Sequence, residues 1–187
     1  MRPKTRRLRY LYLAYLSQPV ADRPLYRCMR RQAIRRIVEL GVGTLARATR
    51  MIEIAAAGVG AENVTYTGVD LFESRSVADS AGVSLKLAHR QLLGTGARIR
   101  LLPGDPFTAL ARAANGLTET DIVVISADQD AASLAKAWFY VPRMLHTASQ
   151  VFVERRQSDG TPSLLEAVSR AEIDVWAGVG VRRRAAA

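Results

Sequence analysis

The residues best suited to chemistry in this chain are acids, glycines and a serine at recurring places. They are Glu39 with Gly41 and Gly43, Asp70 with Leu71 after it, Gly104-Asp105, and Ser126 with Asp128. Gly41 and Gly43 fall between the apolar run Ile37-Val38-Glu39-Leu40 and the helix-forming run Leu45-Ala46-Arg47-Ala48. That pattern marks a buried strand turning sharply into a helix. Residues without a Cβ take the turn, and a ligand can then lie against the main chain where the helix offers unpaired N–H groups. Such a turn is a cradle for a nucleotide or nucleoside. The strand Val64-Thr65-Tyr66-Thr67-Gly68-Val69 runs into Asp70, about where a ligand of this type has its ribose hydroxyls.

The elements that must position these residues alternate. Strands are predicted at the apolar run around residues 37–40, at 64–69, 97–102, 121–125 and 150–154, with helices over about 45–57, 84–93, 107–114 and 129–145. Asp121-Ile122-Val123-Val124-Ile125 is a continuous β-branched run suited to the centre of a parallel sheet. The order implies an α/β fold with a doubly wound, mostly parallel sheet and right-handed crossovers. Glu39, Asp70, Asp105, Ser126 and Asp128 all fall at or just beyond strand carboxyl ends, where ligands bind in such sheets. Ahead of the first strand, residues 8–16 read as a helix stopped by Pro19, and Asp22 as the N-cap of a second helix reaching about Gln32. Beyond Glu154 come a polar loop over residues 155–161, a helix over 162–168, and a capping box Ser169-x-x-Glu172 opening a helix that ends near Gly178. Only Val179-Gly180-Val181 is then left for a further strand, so the last sheet edge is expected to be truncated.

Taken alone, Gly41-x-Gly43-x-x-Ala46 also matches the dinucleotide fingerprint, which would make the protein a nicotinamide-dependent oxidoreductase. Glu39 two positions before the first glycine, with Asp105 after a third strand, is not required by that fold. In this order Glu39-x-Gly41-x-Gly43, Asp70 and Asp105 resemble the class I S-adenosylmethionine-dependent methyltransferases over roughly residues 36–154. The resemblance implies S-adenosylmethionine as cofactor. It places Gly41 and Gly43 against the methionine part, Glu39 at the turn and the amino group, Asp70 on the ribose hydroxyls, Leu71 on the adenine and Asp105 on the adenine amino group. A carboxylate suits a vicinal diol because its two oxygens accept two hydrogen bonds side by side. The plainer role for Glu39 and Asp105 is to cap turns.

The run from Asp121 to Gln129 is similar to the segment of small-molecule O-methyltransferases that carries an acid for a divalent metal. Ser126 stands where that acid is expected, and Arg155 follows Glu154 where an asparagine is expected. A serine hydroxyl is a poor ligand for a hard cation, and a guanidinium beside the site would oppose one, so no metal is expected. Ser126 is instead counted with the cofactor-binding residues. Asp128 is the nearest candidate base. His89 and His146 fall in predicted helices, and Trp138, Phe139 and Tyr140 read as packing.

With 187 residues, 49% of them hydrophobic, and a mean hydropathy near zero, one domain with a full core is expected. The single cysteine, Cys28, excludes an internal disulfide framework and points to a reduced, cytoplasmic setting. The net charge of +10 is localised: residues 1–36 hold eleven basic residues and one acid, Asp22, while the remaining sixteen basic and sixteen acidic residues cancel. The division expected is a basic helical arm over residues 1–34 packed on a methyltransferase-like domain over residues 35–187. Leucines and tyrosines interleave with the arm's arginines, which favours docking on its own domain or in a homodimer over nucleic-acid binding. No membrane partner is expected. The acceptor is not indicated, and a degenerate relative acting as a binding module is the alternative to an enzyme.

Overall fold

A computed structural model describes residues 8–75, 82–155 and 164–185. Most of the predicted loop over residues 155–161, the start of the helix expected over 162–168, and Arg2, Lys4, Arg6 and Arg7 lie outside them. The strands are β1 (Arg36–Leu40), β2 (Thr65–Asp70), β3 (Arg98–Pro103), β4 (Thr120–Ile125), β5 (Leu145–Arg155) and β6 (Leu164–Val168). They form one sheet in the order β3-β2-β1-β4-β5-β6, parallel except for β6, which runs antiparallel to β5. The helices are α1 (Arg23–Met29), α2 (Ala46–Val59), α3 (Leu85–Leu93), α4 (Pro106–Ala113), α5 (Ala131–Ala137), α6 (Val141–Met144) and α7 (Arg170–Ala185).

Side chains alternate across the pleat, and each face of the sheet carries its own core. Ile37, Tyr66, Ile122, Val124 and Phe152 join Met51 and Ile52 of α2 with Leu25, Tyr26 and Met29 of α1. Val38, Leu40, Val123 and Ile125 join Leu110 of α4, Trp138 at the end of α5, Val141 and Met144 of α6, and Ile173 of α7. β4 feeds both cores, as expected of a strand covered on both sides. Local caps sit where the residue types predict: Ser84 accepts from Leu87 N, and Ser169 and Glu172 bond each other's backbone in a capping box.

Several expectations are corrected. Residues 164–168, expected as the end of a helix, form β6, because Leu165 buries against the sheet while the strand pairs with residues 151–155. The sheet edge is therefore present, and Val179-Gly180-Val181 belongs to α7. The single helix expected over residues 129–145 is two short ones, α5 and α6, and His146 is in β5, bonded to Asp121 at 3.1 Å. Asp22 makes no side-chain cap for α1; its carboxylate turns inward to Arg47 and Tyr26. Residues 8–16 are helical, with a π-helical second half, but bury only Leu13 and Ala14, because apolar residues surround this helix and one contact covers a single stripe. Among the described residues no helix is long and apolar enough to cross a membrane.

Candidate functional site

The β1–α2 turn is shaped by left-handed backbone at Gly41 (φ 90°), Gly43 (φ 56°) and Leu45 (φ 69°). A Cβ at Gly41 would lie 2.7 Å from Ser126 Cβ and 2.9 Å from Asp128 Oδ1, so the first glycine is required by both angle and space. The turn borders a cavity of about 290 Å³ at the carboxyl ends of β1 and β4. Of the residues predicted for the site, Glu39, Gly41, Gly43, Ser126 and Asp128 line it together.

The centre of this cavity was not singled out by the sequence. Arg47, in the first turn of α2, donates to Asp22 Oδ1 at 2.9 Å, to Glu154 Oε2 at 2.9 Å and to Ser126 Oγ at 3.1 Å, and lies 4.0 Å from Glu39. Ser126 in turn donates to Gly41 O at 2.9 Å, tying the turn to β4. Asp22 and Glu39 are each 1% exposed. Burial pushes Glu39 up to about 7 against the lowering effects of Arg47 and of the Tyr66 hydroxyl, which donates to it at 2.5 Å. Burial raises Asp22 as well, opposed by Arg47. The three acids raise Arg47 further despite its own burial, so it is a permanent cation here. The guanidinium expected at the site from Arg155 is thus supplied by Arg47. Arg155 points away, pairing with Glu166 at 3.0 Å and stacking over Trp176. Among the described residues no group of His, Cys or acidic side chains is arranged to hold a metal ion. One weak signal for Arg47 was available: a cation in a helix's first turn opposes the helix dipole and calls for nearby acids.

Asp70 stands at the end of β2 with both oxygens engaged. Oδ2 accepts from Val42 N at 2.7 Å, Gly43 N at 3.1 Å and Arg75 Nη2 at 2.7 Å, and Oδ1 accepts from Phe72 N at 3.0 Å and Arg75 Nε at 2.8 Å. Burial would raise this carboxyl, but the bonds from Arg75, Phe72 and Gly43 hold it below its ordinary value. The N–H groups of Val42 and Gly43, expected to be open to a ligand, are therefore paired within the fold. Arg75 reaches on to Asp128 Oδ2 at 3.0 Å, and Gln129 Nε2 donates to Asp128 Oδ1 at 2.7 Å, so the candidate base is held by two donors. Leu71 follows Asp70 and is partly exposed. Asp105 caps α4, accepting from Thr108 N at 3.1 Å and from the Ser133 hydroxyl; burial would raise it, but these bonds hold it at about 2. Asp70, Leu71 and Asp105 do not line the cavity that the other five share.

A mostly parallel sheet with flanking helices like this one also occurs in solved structures. A protein of Pyrococcus horikoshii OT3 matches 94% of this chain and 89% of its own at 12% identity and a TM-score of 0.53. An S-adenosylmethionine-dependent methyltransferase of Clostridium acetobutylicum matches 95% and 87% at 12% identity and a TM-score of 0.51. The fold is that of the class I methyltransferases. A precorrin-6y C5,15-methyltransferase of Geobacter metallireducens is similar over 78% of this chain at 18% identity and a TM-score of 0.50, and the chain spans 66% of that protein, just under two thirds. No protein-family model and no curated protein sequence matches the chain. In this chain the cavity around Arg47 adjoins the glycine turn after β1, and Asp70 takes the end of β2.

Proposed function

We propose that this chain binds S-adenosylmethionine at the carboxyl ends of β1, β2 and β4 and transfers its methyl group, without a metal, to an acceptor that the site does not identify. The observation that carries the reading is the Arg47 cavity beside the glycine turn. Three carboxylates around one guanidinium leave negative charge in excess, which suits the ammonium and sulfonium of the cofactor, while Arg47 suits its carboxylate. Bound there, the cofactor supplies an activated methyl group. Glu39, Asp22 and Glu154 would hold its cationic end, and the Gly41–Gly43 turn would let it approach the backbone. Arg47 stands between the acids, and its positive charge opposes a divalent ion there. The Clostridium relative's description as an S-adenosylmethionine-dependent methyltransferase agrees with this reading.

The other half of the cofactor fits only after a change. Asp70 has no oxygen left for a ribose diol while Arg75 occupies it, so Arg75 must release Asp70 when the ligand enters. The same observation favours the second reading, a degenerate member of the fold that keeps the scaffold as a binding module. Calorimetric titration with S-adenosylhomocysteine, and with NAD as control, separates them. Arg75→Ala should bind S-adenosylhomocysteine about tenfold more tightly than wild type, since the ligand then need not displace a charge-assisted pair. If neither protein binds it at millimolar concentration, the enzyme reading fails.

A further inference from the structure

The helix of residues 8–16 presents Leu8, Leu11, Tyr12, Tyr15 and Leu16 to solvent, with Val20 beyond its end. The spacing i, i+3, i+4, i+7, i+8 makes these five one continuous stripe, on the side opposite Leu13 and Ala14, which bury in the domain. Leu8 and Leu16 are 68% and 67% exposed, far more than a solitary surface leucine requires. Two guanidiniums border the stripe: Arg27 lies over Tyr15, and Arg9 lies over Tyr12 while pairing with Glu53 at 3.0 Å. The one acid among residues 1–36, Asp22, is buried against Arg47, so the charges that residues 8–36 themselves present to solvent are basic, with Arg9 paired to Glu53 of α2.

We propose that this stripe is a docking surface for an anionic phospholipid bilayer, lying in the plane of the interface. Two other occupants match it less well. A second copy of the chain would bring two arms of the same high positive charge face to face, which opposes association. A nucleic acid would use the arginines and stack on the tyrosines, but has nothing to bury Leu8, Leu11, Leu16 and Val20. A bilayer meets both features: apolar side chains enter the boundary between headgroups and acyl chains while arginines pair with lipid phosphates. Among the described residues no helix is long and apolar enough to cross a bilayer, so the stripe rests on the surface.

The test is co-sedimentation of the full chain with vesicles of phosphatidylcholine containing phosphatidylglycerol and with vesicles of phosphatidylcholine alone. Binding is expected to the first, weakening with salt, and to be at least about tenfold weaker to the second. The triple variant Leu8→Ser, Leu11→Ser, Leu16→Ser should lose at least about tenfold in partitioning with unchanged thermal unfolding. The three single variants are run alongside, so that a folding defect in the triple leaves the comparison standing. Salt-sensitive binding that the serine variants retain would mean simple charge attraction and overturn the proposal. So would wild-type protein that stays in the supernatant, or that self-associates through the stripe. Competition by single-stranded RNA that fails to involve the leucines would likewise assign the arm to nucleic acid instead.

Discussion

Arg47 and Arg75 each bind carboxylates at the strand ends, yet of the two it is Arg47 that lines the cavity beside the glycine turn. Arg47 faces three acids drawn from before β1, from β1 and from β5, so negative charge stays in excess around open volume. Arg75 faces Asp70 and Asp128, and three backbone N–H groups complete the coordination of Asp70. The first arrangement can receive a zwitterionic ligand. The second is satisfied within the protein and must open to receive anything. The same residue types therefore act as receptor or as closure according to whether charge and volume are left over.

Substitutions at four positions would break or sharpen this contrast. Arg47→Ala leaves buried Asp22 and Glu39 and partly exposed Glu154 without a counterion, and should cost about 3–5 kcal/mol in urea unfolding at pH 7.5, roughly the cost of breaking a buried ion pair. A loss below about 1 kcal/mol would mean that water already screens the cavity.

Glu39→Gln tests the excess charge through pH. The folded-state value of Glu39, about 7, lies above its ordinary 4.5, so between these values the folded protein holds a proton that the unfolded chain releases. Wild-type stability should fall across that window and level off above it. A glutamine side chain cannot titrate, so the variant should gain on wild type by up to about 3 kcal/mol between pH 4.5 and pH 7, read from urea midpoints. Parallel pH profiles for the two proteins would show that Glu39 is ionised throughout.

Asp70→Ala removes the acceptor for Val42 N, Gly43 N and Phe72 N, and should destabilise the fold by about 2 kcal/mol even with no ligand present. An unchanged midpoint would mean that the glycine turn holds itself and that Asp70 is kept for a ligand alone. The smallest effect is expected at Asp105. Asp105→Ala loses the α4 cap and should cost about 1 kcal/mol, whereas Asp105→Asn should stay near wild type because asparagine also caps helices. If instead Asp105→Asn weakens S-adenosylhomocysteine binding without altering stability, the residue contacts ligand as well as helix.

Features built from near neighbours are legible in the residues themselves. The apolar run before Gly41 and Gly43 forms a strand and turn because periodicity and the missing Cβ act locally, and β4 is buried on both faces as its β-branched run requires. Asp105, Ser84 and the Ser169–Glu172 box cap helices three residues on, within reach of their own chemistry. β6 escapes a local reading because Leu164-Leu165-Glu166-Ala167-Val168 suits a helix by itself, and only pairing with β5 makes it a strand. The exposed stripe of residues 8–16 escapes it for the converse reason: apolar spacing shows that a face exists, and the tertiary structure decides whether anything covers it. Arg47 lies 25 residues from Asp22 and 107 from Glu154, and no local pattern links such distant positions. Sequence alone determined that acids would gather where the strands end. Which of them surround a cavity and which are neutralised by Arg75 was decided only by the folded chain, because charge pairing depends on distances that sequence separation does not encode.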